Sequence, residues 1–136
     1  MDRKHWLLKS EPEKYAFADL VRDGSTVWDG VRNNQAALYL KAMGRGEEAL
    51  IYHSGSDKAA VGIARITKEA FIDPTDPAGR FVAVEIAPVR PLAQPVPLAV
   101  LRAELPGMVM FRQFRLSVSP LTEAEWARII ALSEKG

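Results

Sequence analysis

The residues of this 136-residue chain best suited to chemistry lie in four short strings. Trp28-Asp29-Gly30-Val31-Arg32-Asn33-Asn34 sets an indole beside a turn, a guanidinium and two amides. Indole stacks on a flat ring with little regard to which base it is, while amides and hydroxyls read the hydrogen-bonding edge. Trp28 also fits a place in the core, where most tryptophans are largely buried, and residue pattern alone favours that place. Lys9-Ser10-Glu11-Pro12 puts charge and a hydroxyl where a strand is expected to end, a position from which rigid scaffolds present binding groups. Lys9 and Glu11 equally suit a solvated surface pair. In Tyr52-His53-Ser54, a neutral imidazole can donate to or accept from a base edge, and a structural histidine satisfied within the fold is an equal alternative. Arg112, Gln113 and Arg115 offer phosphate or base-edge contacts, though Phe111, Phe114 and Leu116 show that this segment also packs and arginines there suit plain solvation.

Catalytic constellations are absent by comparison. The two histidines, His5 and His53, have neither HExxH nor His-x-His spacing, so a metal site is not expected. Ser10, Ser54, Ser56 and Ser117 lie outside GxSxG and SxxK patterns, and a serine without a positioned base is an ordinary hydroxyl. Gly44-Arg45-Gly46 is too short for a phosphate loop and follows a helix instead of preceding one. The chain has no cysteine, which removes disulfides, thiolate ligands and cysteine nucleophiles together. With 18 basic residues against 17 acidic, the net charge of +1 gives no overall field able to hold a nucleic-acid backbone, so any such binding is local. The reading is of a binding domain and not an enzyme, with no cofactor.

The elements that must position these residues fit one domain spanning 1–136, since 48% hydrophobic content at this length supplies one core. A strand over 5–10 ends at Glu11-Pro12, and apolar residues at 17, 20 and 21 before Asp23-Gly24 predict a short helix. A brief strand at 25–28 leads through Asp29-Gly30 to a helix capped by Asn33 or Asn34. Strands are expected at 49–53, 59–66 and 81–89, and three strands so spaced suggest a small barrel or curled sheet. Pro88, Pro91, Pro95 and Pro97 read as a stiff extended connector. A short helix over 98–105, two extended pieces within 110–118 and a final helix opening at Thr122 complete the chain, with Trp126 on the last helix read as core. No apolar stretch is long enough to span a bilayer and the first residues lack the apolar run of a signal peptide, so a cytoplasmic protein is expected, or a nuclear one if its source has a nucleus.

Four ordered strings together resemble the EVE domain family of the PUA-like superfamily. They are Trp6-Leu7-Leu8-Lys9-Ser10-Glu11-Pro12 with Tyr15; Val27-Trp28-Asp29-Gly30-Val31-Arg32-Asn33; Tyr52-His53-Ser54 with Val61-Gly62-Ile63-Ala64; and Arg112-Gln113 with Arg115-Leu116-Ser117-Val118. The resemblance implies an α+β fold: a PUA-like curled β-barrel of about five to six strands surrounded by several short helices. It further implies a pocket for a flipped, modified base, chiefly a modified cytosine in DNA such as 5-methylcytosine or 5-hydroxymethylcytosine. Modified RNA or a free modified nucleoside are the other partners it admits, for a monomer that acts through a separate effector protein; a hydrolase or nuclease acting on modified nucleic acid, or a small-molecule or protein interaction module, is the alternative function. Carried over by position, Trp28 would be the stacking wall, Ser10 and Asn33 would stand near the base edge, and Tyr52 and His53 would line the pocket. Lys9 and Arg32 would hold phosphate or the rim, with Arg115 and Ser117 bordering it from the C-terminal side. Asn34 stands where many members carry an aromatic, Ala16 where serine is commoner, and Phe114 where a small polar residue is usual, departures that bear on ligand preference.

Overall fold

The computed structural model describes residues 4–113 and 115–134. They form an α+β fold of six strands and five helices: β1 (His5–Ser10), α1 (Phe17–Asp23), β2 (Thr26–Trp28), α2 (Asn34–Ala42), β3 (Glu48–His53), β4 (Ala59–Ile72), β5 (Val82–Pro97), α3 (Leu98–Glu104), α4 (Val109–Arg112), β6 (Val118–Leu121) and α5 (Glu123–Glu134). The strands make one mixed sheet in the order β2-β5-β4-β3-β1-β6, in which only β1 and β3 run parallel. That parallel pair needs a long crossover, which α1, β2 and α2 supply. The expected barrel is thus met in strand number, while the pairings among the described residues form an open series from β2 to β6.

Apolar runs without alternation, such as 49–53, arise because the sheet is buried on both faces. Trp6, Leu8, Ala49, Ile51, Ala64, Ile66, Val84 and Ile86 face one cluster with α1 and α2 residues Phe17, Leu20, Ala36 and Leu40. Leu7, Leu50, Tyr52, Ile63, Leu92 and Val96 face the other, with Leu101, Met110 and Ile129 from α3, α4 and α5. Trp126 packs at the margin of this second cluster and stacks on His5, ring centroids 4.4 Å apart.

Two sequence expectations are corrected. The proline-rich stretch is not a connector but the second half of β5, paired with β4 at Pro88–Ala64, Pro91–Gly62 and Pro97–Ala59. Proline cannot donate to a ladder, and the register shifts at Ile63/Ala64 and Ala60/Gly62 fall beside Pro88 and Pro91, leaving Val89 and residues 92–95, Pro95 among them, as bulges without a β4 partner. The 110–118 stretch, expected as extended pieces, instead holds the short helix α4, its end marked by the Gln113 N–H donating to the Val109 carbonyl at 2.9 Å. Burial of Met108 and Met110 in the second cluster selects that turn over extension.

Candidate functional site

The site grows from the end of β1. Ser10 pairs with His53 across the parallel ladder, and the Ser10 carbonyl accepts the Ser54 N–H at 2.9 Å, so β1 and β3 end together. The chain then turns at Glu11-Pro12 into α1, whose docking is fixed twice. Phe17 lies over Gly62, where a Cβ would sit 2.5 Å from the ring, and its N–H donates to His53 Nε2 at 3.0 Å. Nε2 being the acceptor, the imidazole proton sits on Nδ1 and is directed at the Asp57 carboxylate, 3.1 Å away. His53 is therefore a buried positioning residue joining α1 to the 54–58 loop.

Docking α1 places Tyr15 against Trp28. The two rings meet edge to face, centroids 6.5 Å apart, and the Tyr15 hydroxyl donates to Asp23 at 2.9 Å. Burial pushes the Tyr15 phenol up, keeping it protonated as a donor. The Ser10 hydroxyl donates to the Tyr15 carbonyl, leaving its lone pairs as acceptors. Trp28 is half-buried: it packs against the first cluster and also lines a cavity, so the core and ligand-wall alternatives are compatible.

After Trp28 the chain reverses at Gly30, whose φ of 79° is left-handed and suits glycine. Asp73, at the end of the β4–β5 hairpin, clamps this turn. Its fully buried carboxylate accepts the Gly30 N–H at 2.8 Å, Arg32 Nη1 at 3.0 Å, and the Thr75 N–H and hydroxyl at 2.7 and 2.6 Å. Burial alone would raise its pKa, but the hydrogen bonds from Thr75, Gly30 and Arg32 outweigh it and hold the carboxyl well below the usual carboxylate range. Arg32, also bonded to the Thr75 hydroxyl at 3.0 Å, is thus a rim residue fixed in place. Asn33 caps α2, its Oδ1 accepting the Ala36 N–H at 2.9 Å.

These segments enclose a cavity of about 700 Å³. Lys9, Ser10, Trp28, Arg32 and Asn33 line it, together with Arg115 and Ser117 from the approach to β6. Two expected site residues stand elsewhere: Tyr52 lines a smaller neighbouring cavity, and His53 is occupied with Phe17 and Asp57. Burial lowers the Lys9 pKa without removing its place in both cavities. Asn34 begins α2 and is exposed, Ala16 is the N-cap of α1, and Phe114 lies outside the described residues.

Tyr15, Thr26 and Glu11 also line the cavity, and Asp73 organises it from behind; the sequence reading did not assign them to the site. Glu11 and Tyr15 lie in the first of the four ordered strings, and Asp73 carries a local signal of its own, since Asp73-Pro74-Thr75 is an Asx-turn pattern whose carboxylate accepts two residues on. Among the described residues no group of three or more histidines or carboxylates is arranged to hold a metal, and no helix is long and apolar enough to cross a membrane. What the arrangement offers is an indole wall, hydroxyl and amide groups, and cations at the rim.

The family model described as EVE domain matches residues 4–132. Thymocyte nuclear protein 1 from Homo sapiens is 36% identical, the match covering 96% of this chain and 74% of the relative. Rpa0253 from Rhodopseudomonas palustris shares the fold with a TM-score of 0.89 and 42% identity over 96% of this chain and 92% of its own. Human THYN1, whose crystal structure is in complex with 5-methylcytosine-containing DNA, superposes with a TM-score of 0.91 at 34% identity, covering 98% of this chain and 99% of that one. An ASCH protein from Zymomonas mobilis shares the fold alone, with a TM-score of 0.62 and 17% identity over 96% of each chain.

Proposed function

The chain belongs to the EVE domain family, and on that footing we propose that it is a non-catalytic module capturing a flipped, modified base, with a modified cytosine in DNA such as 5-methylcytosine or 5-hydroxymethylcytosine as its ligand. The observation that carries this reading is one cavity lined by Trp28, Ser10 and Asn33 together with the cations Lys9, Arg32 and Arg115. The human relative crystallised with 5-methylcytosine-containing DNA supports the choice of ligand.

The physical logic is extrusion followed by capture. Removing a base from the stack costs a few kcal/mol, and stacking on an aromatic wall returns roughly 1–3 kcal/mol. Trp28 supplies that wall, braced by its T-shaped contact with Tyr15. Ser10, whose proton is committed to the Tyr15 carbonyl, presents acceptor lone pairs to the cytosine amino group. Asn33, whose Oδ1 is committed to α2, presents its amide donors to the acceptor side of the ring. Catalysis is disfavoured because the groups best suited to it are already engaged: both ring nitrogens of His53 are bonded, and the Asp73 carboxylate is saturated.

The test is equilibrium binding to DNA and RNA oligonucleotides that differ at one base, unmodified or modified. Selective binding to modified cytosine in DNA is expected. Equal affinity across the series, or binding confined to RNA, would overturn the assignment.

A further inference from the structure

Beside the base cavity lies a smaller one of about 220 Å³, lined by Tyr52, Lys58, Arg102 and Phe111 and sharing Lys9 and Ser54 with the larger. We infer that this cavity is a phosphate-binding subsite, so that the two together take a nucleotide, ring in one and phosphate in the other. The inference rests on the base-capture reading for what occupies the larger cavity.

Tyr52 is 3% exposed, yet its hydroxyl makes no hydrogen bond among the described residues. The hydroxyl is not among the fully buried unpaired polar atoms: it keeps accessible surface in a residue that lines this cavity, where it can donate to a ligand atom. Burial pushes the Tyr52 phenol up and so keeps it a donor, as a phosphate oxygen requires. Lys58 and Arg102 are exposed and form no ion pair among the described residues, and the Arg102 guanidinium lies over the Phe111 ring at 5.2 Å. A planar guanidinium held on an aromatic face keeps its donors in plane for a phosphate.

The backbone points the same way. Lys58 has a φ of 46°, a left-handed conformation that a lysine adopts at a cost. Bonds on either side hold it there: the Lys58 carbonyl accepts the Leu98 N–H at 2.8 Å, and Asp57 is tied to His53. Strain maintained by its surroundings collects at ligand clamps. The shared Lys9 and Ser54 make the two cavities neighbours, as the base and phosphate of one nucleotide are.

The experiment compares 5-methyldeoxycytidine, its 5′-monophosphate, inorganic phosphate and a methylated oligonucleotide as ligands of the full chain. Each is titrated into wild type, the double variant Lys58→Gly/Arg102→Gln, and Tyr52→Phe. Wild type should prefer the monophosphate over the nucleoside about tenfold. The double variant should bring that ratio near one and leave nucleoside affinity unchanged, and Tyr52→Phe should weaken monophosphate binding about fivefold. Inorganic phosphate should shift the Ser54 and Gly55 amide signals of wild type, and of Tyr52→Phe at higher concentration, but not those of the double variant. Loss of the monophosphate preference together with oligonucleotide affinity in the double variant assigns the subsite to a phosphate of the DNA backbone; loss of that preference with oligonucleotide affinity intact assigns it to a free nucleotide. If phosphate shifts those amides but no modified base binds, the base-capture reading fails and the subsite stands. A nucleoside that binds as well as its monophosphate, or a preference that survives the double variant, overturns the subsite.

Discussion

Replacing Asp73 by asparagine should loosen the turn that carries Arg32 and Asn33 without disturbing the rest of the sheet. The side chain is fully buried and accepts from Gly30, Arg32 and both donors of Thr75. Asparagine keeps the shape but turns one acceptor into a donor, so at least one of those N–H groups faces another N–H. Breaking a buried charged pair costs about 3–5 kcal/mol. The Arg32 side chain is 41% exposed and water recovers part of its loss, which lowers the expected destabilisation to about 2–3 kcal/mol. Urea unfolding should show this as a lower midpoint at unchanged slope, and hydrogen exchange should show faster exchange at the Gly30 amide. The pH dependence has a definite sign. Because the folded carboxyl titrates below its unfolded value, its stabilisation is full above the ordinary aspartate pKa of about 3.9 and is lost as pH falls below it. Asp73→Asn should therefore lack that part of the acid loss. A variant within about 0.5 kcal/mol of wild type, with Gly30 exchange unchanged, would refute the clamp.

Other perturbations follow from the same contacts. Gly62→Ala should destabilise by about 1–3 kcal/mol in thermal or urea unfolding, because the new methyl would overlap the Phe17 ring. Ala16→Ser should stabilise by about 1 kcal/mol: the Asp19 carboxylate already accepts the Ala16 N–H at 2.8 Å, and a serine hydroxyl would complete the capping box, raising Tm by roughly 3–6 °C. Modified-DNA binding should weaken with salt only shallowly, with a slope of about −2 to −4 for a few phosphate contacts. A slope near −10 would mean a much larger charged interface than these cavities provide.

Helices were legible where caps and periodicity coincide. Gly24 ends α1 at a φ of 79°, Asn33 caps α2, and Thr122 with Glu125 forms the reciprocal box that opens α5. The second half of β5 was not, because four prolines argue locally against a strand, and only the irregular pairing with β4, which skips Val89 and residues 92–95, lets the strand continue past them. The site followed the same division. Lys9, Ser10, Trp28, Arg32 and Asn33 sit in contiguous strings and meet as the strings meet. Asp73 comes from a hairpin tip more than forty residues from Gly30 in sequence, and nothing in its own neighbourhood says which turn it will clamp. For His53 the sequence left a pocket role and a structural one open: Asp57 is four residues away, but Phe17 becomes its neighbour only once α1 docks on β4.

The most direct measurement is the affinity ratio between two duplexes identical except for one cytosine, unmodified or 5-methylated, for wild type and Trp28→Ala, with folding of the variant checked by circular dichroism. Base capture on the Trp28 wall predicts that wild type prefers the methylated duplex and that the folded variant loses the preference, along with roughly 1–3 kcal/mol of stacking free energy. A wild type without preference, or a folded Trp28→Ala protein that keeps it, would contradict the account.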